Sequence, residues 1–132
     1  MSKIVNLSEA ASIAFHAMVL VVQSKNTLNV LQISERTGSS KHHVAKVMQQ
    51  LVKQGFVGSM RGPTGGFTLR KPASEINFLN IYEAIEGKLE ESTCAMDKPV
   101  CTFERCIYSN IIKKMTCDFK EYLKEQKLSN FL

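Results

Sequence analysis

Residues 38–70 decide the fold and read GSSKHHVAKVMQQLVKQGFVGSMRGPTGGFTLR. Gly38 can adopt the left-handed conformation that a tight turn needs, and Ser39 or Ser40 can cap the helix that follows. The apolar residues of this helix recur at i, i+3, i+4, i+7 and i+8, the spacing of one buried helical face: Val44, Val47, Met48, Leu51 and Val52. Gly55 then predicts the end of the helix.

The segments on either side complete a known structural unit. A short helix over about Val30 to Arg36 precedes the Gly38 turn, which makes a helix-turn-helix pattern. Two short strands follow, Phe56 to Met60 and Phe67 to Arg70, and the six residues between them include one Pro and three Gly, which predicts a turn. Together these elements predict a winged helix. A plain hairpin without a DNA role is the other interpretation, and the preceding basic helix disfavours it.

Further helices are predicted before and after this unit. Ser8 can cap a first helix that runs to about Gln23. Asn77 can cap another over Phe78 to about Glu86, whose buried side is predicted to be Ile81, Ala84 and Ile85.

The last helix is predicted from about Phe103 to Lys127, a length of roughly 35 Å. Its apolar face comprises Ile107, Ile111, Ile112, Met115, Phe119, Tyr122 and Leu123. Because so long a helix in a small chain usually needs a partner, we expect it to form a homodimer interface. The predicted fold class is mainly α with a small β-hairpin wing: a winged helix-turn-helix plus a long C-terminal dimerisation helix. Residues 1–75 are predicted to form the winged-helix DNA-binding domain, and residues 76–132 the connecting helix, the cysteine loop and the dimerisation helix.

Charge is unevenly distributed along the 132 residues, which carry a formal net charge of +5. Residues 36–74 contain seven Lys or Arg and no Asp or Glu, whereas residues 75–132 contain eight basic and ten acidic residues. The positive field is therefore local, and it predicts a face that binds a polyanion, with double-stranded DNA as the expected partner. A merely solvated basic face is the alternative.

The residues predicted to contact DNA lie at the start of the second helix of the motif and in the turn of the wing. The N-terminal residues of such a recognition helix face the major groove, where they can contact phosphates and base edges. The arginine of the wing can probe the minor groove or its phosphates. The predicted set is Ser39, Ser40, Lys41, His42, His43, Lys46, Arg61, Gly62, Thr64 and Gly65. Metal binding by the His-His pair is disfavoured because adjacent helical residues point about 100° apart.

Other functional classes find little support in the sequence. It contains no Gly-rich loop followed by Lys-Ser/Thr, no His-Glu-x-x-His and no Gly-x-Ser-x-Gly, so we do not expect an enzyme. The apolar stretch from Ile13 to Val22 is interrupted by His16 and is too short to cross a bilayer. With no signal peptide visible, we expect a cytoplasmic protein without a membrane partner.

Cys94, Cys101 and Cys106 form a Cys-x6-Cys-x4-Cys pattern. Because cytoplasmic thiols stay reduced, clustered cysteines indicate a metal or redox site sooner than disulfides. Three thiolates suit zinc or an iron–sulfur centre, and the spacing alone does not choose between them or exclude free buried thiols. Cys117 is predicted to lie about 16 Å of helix beyond Cys106, which favours a core or interface thiol.

Two segments resemble the Rrf2 family of bacterial transcription factors, the IscR and NsrR regulators. They are the wing over residues 57–69, with its Arg-Gly-Pro-x-Gly-Gly-aromatic motif, and the Ile-Ser-Glu-Arg-Thr-Gly stretch at residues 33–38. The resemblance covers nearly the whole chain, and the wing motif is its specific part. It implies a homodimeric winged-helix repressor or activator that senses iron–sulfur status, nitric oxide or redox state. The three clustered cysteines then fall where the family places the ligands of a 2Fe-2S or 4Fe-4S cluster. A winged-helix regulator with a zinc site or a thiol switch, and no cluster, is the alternative.

The resemblance leaves the fourth cluster ligand open. The family's ligand positions correspond to Ser109 and Ser12 here, and neither is the residue type expected. Glu9, Ser12 and His16 share one face of the first helix, so any of them, or a non-protein group, is a candidate. For His16 a partly buried structural role is the favoured interpretation. The helix over Phe78 to Glu86 connects the wing to the cysteine loop, which makes it the predicted lever between them.

Overall fold

The computed structural model describes residues 7–89, 104–105, 107 and 110–132. Five helices and one hairpin follow each other in the described chain: α1 (Glu9–Gln23), α2 (Val30–Thr37), α3 (Lys41–Lys53), β1 (Val57–Met60), β2 (Gly66–Leu69), α4 (Phe78–Glu86) and α5 (Ile111–Glu125). Short 3-10 turns cover Ala73–Glu75 and Leu128–Phe131. The predicted fold class, mainly α with a small hairpin wing, is confirmed.

Local capping chemistry explains where α1, α2 and α4 begin. The Ser8 side chain accepts the Ala11 N–H at 3.1 Å, as the sequence predicted for α1. Asn29 and Asn77 each form a capping box with the residue three positions on, Gln32 and Asn80, so that two backbone N–H groups are satisfied at each start. The predicted boundaries of α4 are confirmed at both ends.

The main hydrophobic core is built around α1. This helix contributes Ile13, Ala14, Ala17, Met18 and Val21 to it, while its Ala11 packs in a second cluster with α4 and α5. The apolar face of α3 packs against α1, and Ile33, Ile76, Ile81 and Leu128 belong to the same main core. Residues from the C-terminal part of the chain therefore support the helix-turn-helix directly.

The wing hairpin also pairs with one residue outside its two strands. β1 and β2 pair antiparallel, with Val57 opposite Leu69 and Met60 opposite Gly66. Phe67 in β2 also pairs with Leu28, which lies between α1 and α2. The hairpin is therefore attached to the segment that leads into the helix-turn-helix.

The prediction for the last helix is wrong at its start. Residues 104, 105, 107 and 110 are not helical, and α5 begins at Ile111 and ends at Glu125. Asn110 adopts a left-handed conformation with φ 61°, which a continuous right-handed helix cannot include. With 15 residues, α5 is about 22 Å long rather than 35 Å.

Burial on the C-terminal helices also differs from the prediction. α4 buries Leu79, Ile81 and Tyr82, whereas Ala84 and Ile85 are half-buried against the core. On α5, Ile112 and Leu123 are buried within the chain together with Thr116, which donates from its hydroxyl to the Ile112 carbonyl at 2.9 Å. Ile111, Met115 and Tyr122 are exposed, so the predicted apolar face is divided between the core and the surface.

None of the described helices combines the length and the apolar character that crossing a bilayer requires.

Candidate nucleic-acid interface

The turn between α2 and α3 is fixed by side-chain hydrogen bonds. Gly38 takes the left-handed conformation predicted for it, with φ 74° and ψ 11°. Ser34 donates from its hydroxyl to the Ser39 carbonyl at 2.6 Å, and Thr37 donates to the Ile33 carbonyl at 2.9 Å. These bonds satisfy polar groups at both sides of the turn, so α3 leaves α2 in one defined direction.

α3 presents its polar face to solvent because its apolar face is occupied by the core. Ser40, and not Ser39, caps the helix, accepting the His43 N–H at 3.1 Å. Val44, Val47, Met48 and Leu51 are buried. Of the six residues predicted here to contact DNA, four are exposed and two half-buried: Ser40, Lys41, His42 and Lys46, then Ser39 and His43. They form one accessible surface at the start of the helix.

The wing brings the remaining predicted DNA contacts to a tight turn. Gly65 donates from its N–H to the Gly62 carbonyl at 2.9 Å, which closes the turn. A side chain at residue 65 would collide with the carbonyl oxygen of Met60, so a glycine is needed there. Arg61, Gly62 and Thr64 are exposed and Gly65 is half-buried. The structure therefore leaves Arg61 accessible to a ligand.

Glu9 at the start of α1 lies beside α3. Glu9 Oε1 is 3.6 Å from His43 Nδ1, a contact that is an ion pair only when the imidazole is protonated. His16 is exposed, so the expected partly buried role is wrong; its Nδ1 lies 2.7 Å from the Ser12 carbonyl. Glu9, Ser12 and His16 do occupy one side of α1, but the described contacts of Glu9 lead to α3.

Cys94, Cys101 and Cys106 lie outside the described residues, as does Ser109. Within the part of the chain that the structure describes, no three His, Cys, Asp or Glu side chains are grouped to hold a metal ion. Cys117 is half-buried in the second turn of α5. Because α5 starts after Cys106, the helical rise does not set the distance between these two cysteines, and that argument for separating them fails.

Sequence reasoning missed two polar side chains that hold this surface in place. Thr27 donates from its hydroxyl to the Thr64 carbonyl at 2.5 Å, and Gln50 donates from Nε2 to the Ala84 carbonyl at 3.2 Å. Their backbone partners are 37 and 34 residues away, so no local pattern reveals them. Of these two contacts, only that of Gln50 had any sign in the sequence: Gln50 is a polar residue next to the apolar stripe of α3.

Comparison with known proteins now identifies the family. The model of the Rrf2 family, described as an iron-dependent transcriptional regulator, matches residues 7–132. This chain belongs to the Rrf2 family. It is therefore a transcriptional regulator and not an enzyme, and the family binds DNA.

Individual Rrf2 proteins are similar over almost the full length. The regulator NsrR of Oceanobacillus iheyensis is 28% identical over 132 aligned residues, which cover 96% of this chain and 89% of the relative. CymR (YrzC), the global cysteine regulator of B. subtilis, has a TM-score of 0.77 at 19% identity, with 96% of this chain and 95% of that chain covered. T. potens IscR has a TM-score of 0.73 at 23% identity, with 96% and 85% covered. These two structures share the fold of this Rrf2 protein.

We predict that Ser40→Ala destabilises this Rrf2 protein by about 1 kcal/mol, because it removes the oxygen that caps α3. Ser40→Asp keeps a good cap and should retain most of the stability. The matched control is Ser39→Ala, since Ser39 contributes only backbone groups to the described hydrogen bonds. Urea unfolding followed by circular dichroism measures all three variants, and an equal loss in Ser39→Ala would contradict the assignment of the cap.

Proposed function

We propose that this Rrf2 protein is a homodimeric DNA-binding regulator that senses iron–sulfur status, redox state or nitric oxide through an iron–sulfur cluster on Cys94, Cys101 and Cys106. One observation carries the proposal: three thiols lie within thirteen residues of a chain that matches an iron-dependent regulator family over residues 7–132. Cysteine thiolates are the ligands that iron–sulfur clusters take in proteins. The 28% identity to an NsrR over 96% of the chain supports it further.

The proposed DNA surface consists of the start of α3 and the turn of the wing. Lys41, Lys46 and Arg61 are exposed, and residues 36–74 contain no carboxylate side chain to oppose them. Lys41 and His42 at the first turn of α3 would enter the major groove, where they can donate to base edges and phosphates. Arg61 would contact the adjacent backbone or minor groove.

The proposed dimer interface lies on α5. Ile111, Met115 and Tyr122 are 46%, 44% and 56% exposed, and Ile107 just before the helix is 66% exposed. Positions 111, 115 and 122 fall within about 40° of each other around a helix, so they form one apolar row. Such a row on the outside of a chain this small is the kind of surface that a second copy covers.

The end of α4 offers a route from the cysteine segment to the DNA surface. Gln50 of α3 donates to the Ala84 carbonyl in the last turn of α4, and Ser8, the cap of α1, donates to Glu86 Oε1. Glu83 accepts the Leu89 N–H at 2.9 Å, just before the cysteines. A change in the cysteine segment would therefore act on bonds that hold both α1 and the recognition helix.

We predict that Cys94→Ser, Cys101→Ser and Cys106→Ser each abolish iron and sulfide binding, because each removes a thiolate ligand. Cys117→Ser should retain both, since it lies outside the proposed ligand set. The measurement is visible absorption with iron and sulfide analysis after purification without air.

A full cluster in any of the first three variants would contradict the ligand set. Loss in a folded Cys117→Ser would add Cys117 to it. A colourless wild-type protein holding zinc, or holding no metal, would instead favour the zinc site or the thiol switch.

We predict that Arg61→Ala weakens DNA binding and lowers the slope of log affinity against log salt by about one unit, as expected for one lost phosphate contact. Fluorescence anisotropy with one operator fragment at several salt concentrations measures both quantities. Lys113→Ala removes the same charge from an exposed position on α5, a helix that packs against α4, and is the matched control. Equal effects of the two substitutions would mean that only net charge matters.

We predict that Met115→Asp dissociates the homodimer, because an unpaired carboxylate in an apolar interface costs several kcal/mol. Sedimentation velocity at low micromolar concentration measures the oligomeric state. Lys113→Asp introduces the same side chain on another exposed face of α5 and should leave the dimer intact. A stable dimer with Met115→Asp would place the interface elsewhere.

A further inference from the structure

Thr27 connects the tip of the wing to the segment between α1 and α2. Its hydroxyl donates to the Thr64 carbonyl at 2.5 Å. Thr64 belongs to the turn that Gly62 and Gly65 close, three residues after Arg61. A hydrogen bond from residue 27 therefore reaches the part of the hairpin that is proposed to meet DNA.

The next residue, Leu28, attaches the same segment to β2 through backbone atoms. Leu28 accepts the Phe67 N–H at 2.7 Å, and Leu28 is itself buried. Gly66 allows this approach, because a Cβ on residue 66 would lie 2.6 Å from the carbonyl carbon and oxygen of Leu28. The hairpin is thus held at the start of β2, next to the turn, by Leu28 and at the turn itself by Thr27.

The third residue of this segment ties it to the recognition helix. Asn29 caps α2 through a capping box, and α2 passes to α3 through the Gly38 turn and its side-chain hydrogen bonds. Residues 27–29 therefore connect the wing on one side with the helix-turn-helix on the other. An isolated two-stranded hairpin is marginally stable in water, so its direction depends on such attachments.

We propose that Thr27 is a positioning residue for DNA binding: its hydroxyl holds the wing turn at the angle and distance from α3 that let Arg61 and the recognition helix contact the same DNA duplex. Without that bond, the turn keeps its own Gly62–Gly65 hydrogen bond and the start of β2 keeps its bond to Leu28, but Thr64 in the turn loses its attachment to residue 27. Arg61 then has to be ordered at the moment of binding, which costs conformational entropy. This inference rests on the proposed role of Arg61.

The test is Thr27→Val, which keeps the shape of the side chain and removes the hydroxyl. We expect DNA affinity to fall about two- to tenfold, the range for one neutral hydrogen bond. Thr27→Ser retains the hydroxyl and should restore affinity. Thr68→Val, in β2 of the same hairpin, changes a half-buried threonine for which the described residues show no hydroxyl hydrogen bond, and it should have no effect. Thermal unfolding and amide exchange at Gly65 check the fold and the mobility of the turn in each variant.

A double-mutant cycle with Arg61→Ala separates positioning from a general structural role. If Thr27 positions Arg61, Arg61→Ala should cost at least twofold less affinity in the Thr27→Val background than in the wild-type background. Additive losses, or an affinity of Thr27→Val equal to wild type, overturn the inference while the wing contact stands. An Arg61→Ala variant with wild-type affinity and salt slope overturns the wing contact itself, and the role of Thr27 with it. If Thr27→Val unfolds, the cycle is run with Thr27→Ala, to which the same outcomes apply.

Discussion

The packing of α3 against α1 is the constraint on which the rest of the structure depends. Burying a Val, Leu or Met side chain contributes about 1.5–3 kcal/mol, and α3 buries four of them. The cap at Ser40 contributes about 1 kcal/mol, and a single ion pair on the surface contributes no more than that. The rotation of α3 about its axis is therefore set by its apolar stripe. Its first-turn polar residues reach solvent as a consequence, and the chemistry of the proposed DNA surface follows from where the core is.

Elements with strong local signals could be predicted from the sequence. Gly38 can adopt the left-handed conformation that the turn needs, Asn77 has a partner for a capping box three residues on, and four of the six residues at 61–66 are Pro or Gly. Each of these signals acts within a few residues of itself, so it does not depend on the tertiary structure. For the same reason the start of α3 could be narrowed to Ser39 or Ser40 but not decided, since either serine could offer the capping oxygen.

The start of α5 could not be predicted in this way. Ile107 and Ile111 are four residues apart, so the apolar period continues across the point where the helix actually begins. The interruption comes from the backbone of Asn110, a residue that tolerates the left-handed region without demanding it. Burial on α5 was also ambiguous, because apolar spacing does not say whether a face meets the same chain or another. Thr116 can be fully buried because its hydroxyl donates a hydrogen bond to the Ile112 carbonyl of the same helix. Met115, the residue before it, is exposed.

Besides the apolar core, long-range polar side-chain contacts join several parts of the described chain. Thr27 reaches the wing, Gln50 reaches the end of α4, and Ser8 reaches Glu86. Each net hydrogen bond of this kind contributes about 1 kcal/mol, which is small against the core but corresponds to about a fivefold change in affinity for DNA. The apolar core therefore sets the arrangement of the helices, while these bonds add further attachments between the wing turn, α3, α4 and the start of α1. Removing one of these side-chain hydrogen bonds would therefore leave the apolar residues of the core in place.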